Sequence, residues 1–223
     1  MNPPIRIALV GCGLIGQKRL QNLPPGTVTV ACDLNLERAK QLASRAPGCR
    51  ATADYKEAVA ARDVDAVFVA TLNSSLATIA AEAVRSGKHV LIEKPVGISA
   101  REIEDLERLA RERNVQVRAG YNHRYHPACL KMLELWRSGE LGPLMFLRGR
   151  YGQGGRLGYE KEWRADPKLS GGGELIDQGV HLIDLSGIFL GDISEIDGHV
   201  ATYYWDMPVD DNAFISLRNK AGF

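Results

Sequence analysis

Short apolar runs alternate with amphipathic segments through about the first 119 residues. The runs have the length and the continuous apolar character of strands buried on both faces of a parallel sheet; they cover residues 5–10, 27–32, 64–70, 88–92 and 115–119. Helices are predicted between them, starting near Leu14, over 36–46, over 75–86 before Gly87, and after a capping box at 99–102. This alternation predicts an α/β Rossmann fold with a doubly wound parallel sheet, of which 88–92 and 115–119 are the last two strands.

The pattern changes at about Asn122. A helix is predicted over 127–138, a strand over 144–151, a long glycine-rich loop, a helix over 174–190 and strands over 196–205 and 213–218. Successive strands are typical of an α+β domain with an open, mainly antiparallel sheet. We therefore predict two domains, 1–121 and 122–223. Because the sequence stops directly after a strand, we expect the C-terminal part of the second domain to be missing; a complete small domain is the alternative.

Composition excludes some classes of partner. Lysine and arginine number 28 against 27 aspartates and glutamates, so no positive field favours nucleic acid or an anionic membrane. No apolar stretch approaches the roughly 18 residues of a membrane span, and the N-terminus lacks the basic start of a secretory signal. The four cysteines form no CxxC pair, which favours a reduced, cytoplasmic compartment.

A Gly-x-Gly-x-x-Gly loop follows the first strand and opens a helix. Gly11 permits the tight turn, Gly13 lets the backbone approach a pyrophosphate, and Gly16 lets helix and strand pack closely. The backbone N–H groups at the helix start, those of Leu14 and Ile15, would face the phosphates. The loop predicts a dinucleotide site, with a ligand-free tight turn as the alternative.

An acidic residue at the end of the second strand indicates which dinucleotide binds. The carboxylate of Asp33 is placed to accept both ribose hydroxyls of an adenosine and would repel a 2′-phosphate. Arg38 favours NADP instead, because its guanidinium could reach a 2′-phosphate. An arginine at this place is more often a solvated helix residue. The sequence therefore favours NAD over NADP.

Two further clusters carry candidate chemistry. Glu93-Lys94-Pro95 follows the predicted strand 88–92. Ligands bind outside the carboxyl ends of strands in open α/β sheets, so Lys94 is expected at the cofactor crevice. In the second domain, Asp177 and His181 are four residues apart on the predicted helix and share a face, with Asp184 one turn beyond.

These motifs resemble the glucose-fructose oxidoreductase, inositol dehydrogenase and MocA family of nicotinamide-dependent enzymes. The matching segments keep the family's order along nearly the whole chain; they are VGCGLIG at 10–16, GKHVLIEKP at 87–95, YNHR at 121–124 and GGGELIDQGVHLID at 171–184. The resemblance implies an NAD(P)-dependent dehydrogenase or reductase, with a Rossmann domain followed by a substrate domain. Its substrate would be a sugar, cyclitol or sugar derivative, and its open sheet would form a homo-oligomer if complete.

The resemblance also implies roles for individual residues. Lys94 and His181 would be catalytic, with Asp177 beside them, and all three would contact substrate. Further cofactor contacts would come from Thr71, Asn73, Glu93 and Asn122. Where the family often has Thr-Pro-Asn followed by a histidine, this chain has Thr71-Leu72-Asn73-Ser74 and no such histidine, which places any role of that histidine in doubt.

The chemistry is reasonable on the residues alone. A neutral histidine suits the removal of a proton from an alcohol near pH 7, so His181 is the candidate base. Asp177 would orient it, and Lys94 would stabilise negative charge on the substrate oxygen. No metal is required. The alternatives are a metal bound by Asp177, His181 and Asp184, a structural role for Lys94 or His181, and a non-catalytic dinucleotide-binding or redox-sensing protein.

The remaining candidate site residues follow the predicted strand 115–119 or lie in the long loop. Tyr121, Asn122 and Arg124 are placed to touch nicotinamide or substrate, with a structural role at the domain boundary as the alternative. The long loop supplies stacking and anion-binding groups that suit a sugar or sugar phosphate, unless it simply folds back on its domain; they are Arg156, Tyr159, Trp163 and Arg164.

Overall fold

The computed structural model describes residues 4–152 and 155–222. The chain divides into two compact units, Met1–Gly120 and Tyr121–Phe223. The outer limits of the two predicted domains, residues 1 and 223, lie outside the described residues. Within the described ranges, no helix is both long and apolar enough to cross a membrane.

The first unit is a six-stranded parallel sheet in the order β3-β2-β1-β4-β5-β6. Its strands are β1 (Ile7–Val10), β2 (Val28–Cys32), β3 (Arg50–Thr52), β4 (Ala66–Val69), β5 (His89–Ile92) and β6 (Val117–Ala119). Its helices are α1 (Leu14–Gln21), α2 (Leu36–Ala43), α3 (Tyr55–Ala60), α4 (Asn73–Arg85) and α5 (Ala100–Arg113). This strand order is that of the dinucleotide-binding Rossmann fold, so the predicted fold class is confirmed.

The sheet is covered on both faces, which explains its apolar strands. Leu9 and Val28 pack with α1 and α2 on one face, whereas Val67 and Val90 pack with α3, α4 and α5 on the other. The hydrophobic pattern located neither β3 nor α3. In β3 only Thr52 is buried and Arg50 is exposed, so this edge strand has no apolar run to reveal it.

The predicted capping box at the start of α5 forms in a modified version. The hydroxyl of Ser99 accepts a hydrogen bond from the Glu102 N–H at 3.3 Å, as expected. The Glu102 carboxylate accepts from the N–H of Ile98 at 2.8 Å, one residue before the position that a standard box uses.

The second unit combines short helices with a hairpin. Its α-helices are α6 (Pro127–Ser138), α7 (Pro167–Ser170) and α8 (Val180–Leu190), and its strands are β7 (Ile193–Ala201) and β8 (Asn212–Asn219), which pair antiparallel. Three 3₁₀ turns cover Asn122–Tyr125, Tyr159–Lys161 and Trp163–Ala165. The predicted long loop therefore contains short helical turns.

The strand predicted over 144–151 is wrong. This segment has no regular structure, and residues 146–152 line a cavity of about 1210 Å³ together with α8 and β8. A strand needs a neighbour for its backbone N–H and C=O groups. In the described part of the unit β7 and β8 pair only with each other, so the apolar run at the start of this segment has no strand to pair with.

The helix predicted over 174–190 is also not regular throughout. Leu175–Gly179 forms a π-helical turn before α8 begins at Val180. The regular α-helix predicted for this segment is therefore wrong at its start. Four residues are close to one turn in a π-helix as in an α-helix, so the expectation that Asp177 and His181 lie on one side of the helical segment is not contradicted, and both residues are buried.

The start of this helical segment is fixed by Asp210. Its carboxylate accepts hydrogen bonds from the N–H groups of Gly173 at 2.9 Å and Leu175 at 2.8 Å. The backbone approaches so closely that a Cβ on Gly173 would lie 1.8 Å from the Asp210 carbonyl oxygen. The third glycine of the 171–173 run is therefore required by packing.

Replacing Gly173 by alanine should destabilise the second unit. We expect Gly173→Ala to lower the free energy of unfolding by about 2 kcal/mol or more, because backbone must move to admit the methyl group. The matched control is Gly187→Ala in α8, where a Cβ meets no described atom within 4 Å and alanine favours the helix. Urea unfolding of both variants is the measurement, and equal midpoints would contradict the assignment.

Candidate functional site

The glycine loop of the first unit is held by contacts between backbone atoms. Gly11 has a positive φ of 98°, and a Cβ there would lie 2.2 Å from the carbonyl oxygen of Ala70. A Cβ on Gly16 would lie 2.0 Å from the Gly11 carbonyl oxygen. These two glycines therefore fit because they have no side chain, as the sequence analysis expects.

Gly13 differs from both, because a Cβ there would meet no described atom within 4 Å. It precedes α1 and offers no side chain to cap the helix, so the amide groups of the first turn have no partner of that kind. Leu14, the first residue of α1, is exposed. The loop thus presents open space in front of a helix N-terminus, which fits the pyrophosphate of a dinucleotide.

Asp33 ties the glycine loop to the end of β2. One carboxylate oxygen accepts from the Cys12 N–H at 2.8 Å, and the other accepts from the Asn35 N–H at 2.9 Å. Each oxygen keeps a further lone pair, so the carboxylate can still accept ribose hydroxyls. Leu34, next in the chain, is 92% exposed. It was not among the predicted site residues, although the sequence shows an apolar residue between an acidic strand end and a helix cap. Arg38 is exposed on α2.

The residues after β4 lead directly into the start of α4. The Ser75 hydroxyl donates to the Thr71 hydroxyl at 2.9 Å, and Asn73 begins the helix with its side chain buried. Thr71 and Asn73 therefore lie at a carboxyl end of the sheet, as expected. Their contacts with a cofactor stay a prediction.

Glu93, at the end of β5, forms a partly buried ion pair with Arg19 of α1. The Arg19 Nε donates to Glu93 Oε1 at 2.8 Å, and a second guanidinium nitrogen contacts the same oxygen. A Cβ on Gly120 would lie 3.0 Å from the other carboxylate oxygen, so Gly120 leaves room for the pair. Glu93 was predicted to contact the cofactor, and its ion pair with Arg19 was not predicted, because nothing in the sequence relates residues 74 positions apart.

The Lys94 segment is a tight turn. The Val96 N–H donates to the Glu93 carbonyl at 3.0 Å, the Lys94–Pro95 peptide is cis, and Val96 has a φ of 78°. A positive φ is unusual for a β-branched residue and costs about 1–3 kcal/mol. Lys94 is half-buried at the carboxyl end of the sheet.

In the second unit His181 lies in a cluster of rings. It is 5% exposed, and the His123 ring lies 3.9 Å from it between centroids. Tyr121 and Tyr151 each present a ring edge-on with centroids 6.1 Å away. His123 was not among the predicted site residues; its place in the YNHR motif was the available signal.

Two arginines bind the buried carboxylates around this cluster. Arg164 Nε donates to Asp177 at 3.1 Å, and the Gln178 side chain donates to the same oxygen at 3.0 Å. Arg124 binds Asp184 through two nitrogens, one of them at 2.7 Å. Within the described residues, no group of three or more histidine, cysteine, aspartate or glutamate side chains is placed to hold a metal ion.

Loop residues extend this network. The Arg164 guanidinium stacks over Trp163 at 4.6 Å from the ring centroid, and Arg156 pairs with Glu162 at 2.7 Å. The Tyr159 hydroxyl donates to Glu174 at 2.7 Å, and burial raises the pKa of the Glu174 carboxyl. Glu174 was not predicted, because its half-buried position depends on how the loop folds.

Family models match both units of the chain. The model described as "Oxidoreductase family, NAD-binding Rossmann fold" matches residues 5–121. The chain belongs to the GFO/IDH/MocA oxidoreductase family. The family's C-terminal domain model matches residues 129–223, so the resemblance stated from the motifs is confirmed.

Individual members of the family are similar along most of this chain. A dTDP-3,4-didehydro-2,6-dideoxy-alpha-D-glucose 3-reductase from Actinomadura kijaniata is 30% identical over 96% of this chain and 65% of its own length. Levoglucosan dehydrogenase from Pseudarthrobacter phenanthrenivorans is 26% identical over 86% of this chain and 50% of its own length. The chain thus spans about half to two thirds of these relatives.

A solved structure agrees with both units. The structure of GenD2 from gentamicin A biosynthesis in complex with NAD is 26% identical and has a TM-score of 0.82; the match covers 100% of this chain and 64% of that one. As a family member with this fold, the chain carries an NAD-binding Rossmann domain.

The glycines of the loop should separate folding from binding. Gly16→Ala is expected to lower the free energy of unfolding by about 1–3 kcal/mol, since its methyl group meets backbone. Gly13→Ala should leave stability nearly unchanged and weaken NADH binding by about tenfold or more, because its methyl group enters the phosphate space. Thermal unfolding and NADH fluorescence titration measure the two effects; intact NADH affinity in Gly13→Ala would contradict the placement of the pyrophosphate.

Proposed function

We propose that the chain is an NAD-dependent dehydrogenase or reductase that transfers a hydride between the cofactor and a secondary alcohol of a sugar, cyclitol or sugar derivative. The observation that carries the proposal is His181, a buried imidazole on a helical segment that also carries the arginine-bound carboxylate of Asp177. This segment belongs to the unit that follows the NAD-binding Rossmann domain.

The residues assigned to NAD lie around the glycine loop. The amide groups of Leu14 and Ile15 would hold the pyrophosphate, and Asp33 would accept the hydroxyls of the adenosine ribose. Leu34, exposed beside Asp33, would offer apolar surface to the adenine. The Asp33 carboxylate favours NAD over NADP because it would repel a 2′-phosphate.

The substrate class is supported by the relatives and by the ring-rich second unit. The names of the two relatives describe enzymes that act on a nucleotide-linked deoxysugar and on levoglucosan. Trp163 and Arg164 provide a stacked aromatic and cationic surface, and such groups suit hydroxylated rings and anionic substituents. We assign them, with Tyr121, to substrate binding.

The reaction requires the transfer of a hydride and of a proton. The bound cofactor would accept the hydride as NAD⁺ or supply it as NADH. His181 takes the proton of the alcohol during oxidation and returns it during reduction. Asp177, held by Arg164, would orient the imidazole, and Lys94 would stabilise negative charge as it develops on the substrate oxygen.

Self-association through the second unit is part of the proposal. Four apolar side chains of the β7–β8 hairpin are exposed, and exposed apolar surface on a sheet favours burial against another chain; they are Ile196, Val200, Phe214 and Ile215.

Alanine substitution tests the proton and charge roles. We expect Lys94→Ala and His181→Ala each to lower turnover by about 10²-fold or more while NADH binding persists. Turnover is measured on whichever inositol, aldose or nucleotide sugar the parent chain converts. The control variants Lys40→Ala and His199→Ala remove exposed residues of the same types and should leave turnover unchanged. Activity within tenfold of the parent in both test variants would refute the roles. NADH binding with no turnover of any polyol by the parent would favour a dinucleotide-binding sensor.

Asp33 should determine the choice of cofactor. Asp33→Asn keeps an oxygen that can accept the Cys12 N–H and removes the negative charge. It loses only the acceptor for the exposed Asn35 N–H, so the loop should stay folded. We expect the NADPH affinity relative to NADH to rise by about tenfold or more, since one repulsive contact of about 1.4 kcal/mol corresponds to that factor. Fluorescence titration with both nucleotides gives the ratio, and an unchanged ratio would show that Asp33 does not exclude the phosphate.

A further inference from the structure

We propose that His123 keeps His181 in its neutral, proton-accepting form, so that the two imidazoles carry at most one positive charge near neutral pH. The inference rests on the proposed function in treating His181 as the base. Its basis is the contact between the two rings, whose centroids are 3.9 Å apart with an angle of 61° between the planes.

The ring pair is held by the elements that carry it. His123 lies in the 3₁₀ turn Asn122–Tyr125 and His181 in α8. The next residue of the turn, Arg124, binds Asp184 of α8, so the turn is fastened to the helix one residue away from the ring contact. Tyr151 lies edge-on to both imidazoles, at 5.1 Å from His123 and 6.1 Å from His181. The two imidazoles are therefore packed together rather than adjacent by chance on a surface.

The two histidines differ in burial, which decides which one takes the first proton. His181 is 5% exposed, whereas His123 is half-buried. Removal from water disfavours the charged form of an imidazole, so the better hydrated His123 protonates first. A positive charge on His123 then opposes a second one on His181 at this separation.

The neighbouring carboxylates do not reverse this order. Asp177 and Asp184 would favour an imidazolium at His181, but each is already bound by an arginine, which offsets its charge. Among the described contacts, the titratable and charged groups on the elements around His181 include Asp177 and Asp184 on its own helical segment, Tyr121, His123, Arg124 and Tyr125 at the 3₁₀ turn, Tyr151, and Arg164.

A neutral His181 is what oxidation of an alcohol requires, because only the unprotonated imidazole can accept the proton. His123 is therefore a positioning residue that acts through His181. Its removal should move the acidic limb of the pH profile of kcat/KM to higher pH, since His181 would then protonate more easily. A residue that only packs against the helix would lower activity without moving that limb.

The decisive experiment follows the His181 imidazole by nitrogen NMR across pH 5 to 9 in the parent chain and in His123→Phe. Phenylalanine keeps a ring against His181 and removes the titrating group; His123→Asn serves as a second variant of smaller volume. We expect the His181 titration midpoint to rise by about half a pH unit or more in both variants. His199→Asn, which alters an exposed histidine of the hairpin, should leave the midpoint unchanged.

The outcomes separate this inference from the proposed function. An unchanged or lower His181 midpoint in both His123 variants would overturn the inference, whatever the activity. A raised midpoint in a chain that turns over no polyol would support the coupling of the two imidazoles and count against the dehydrogenase proposal. The NMR readout needs no turnover, so neither failure hides the other.

Discussion

At Gly11 and Gly16, on either side of the start of α1, the backbone passes so close to neighbouring backbone that no side chain fits. Gly11 lies under the carbonyl of Ala70 at the end of β4, and Gly16 lies on the carbonyl of Gly11. These contacts bring the first turn of α1 to the carboxyl edge of the sheet, where its amide groups are directed away from the strands. The placement of the Leu14 and Ile15 amide groups depends on this close approach.

Two polar links extend the constraint to the rest of the first unit. Asp33 joins the end of β2 to the amide of Cys12, and the Arg19–Glu93 ion pair joins the other end of α1 to the segment that carries Lys94. Helix α1 and the lysine segment are thus parts of one bonded framework. In the second unit the Arg124–Asp184 and Arg164–Asp177 pairs do the same for the helical segment that carries His181.

Elements could be predicted from the sequence where a strand is buried on both faces or where a motif is compatible with only one backbone conformation. Strands such as β1 and β2 are buried on both faces and were located, and the glycine loop had to be a turn before a helix. The edge strand β3 was not predicted, because its side chains are largely exposed to solvent. Residues 144–151 have the pattern of a strand and no partner within the described chain.

Side-chain partners were less predictable than elements, because they depend on distances between remote segments. Nothing along the chain indicates that Glu93 binds Arg19, that Asp184 binds Arg124, or that His123 contacts His181. The π-helical turn before α8 also shows the limit of spacing arguments. The separation of four positions from Asp177 to His181 predicted one regular α-helix, and the structure forms a π-helical turn there while burying both side chains.

A crystal structure of the chain grown with NAD would show whether the dinucleotide binds at the glycine loop. The pyrophosphate should face the amide groups at the start of α1, in the space in front of Gly13, and the adenosine ribose hydroxyls should lie against the Asp33 carboxylate. An NAD molecule ordered elsewhere on the chain, or one whose ribose turns away from Asp33, would contradict this placement.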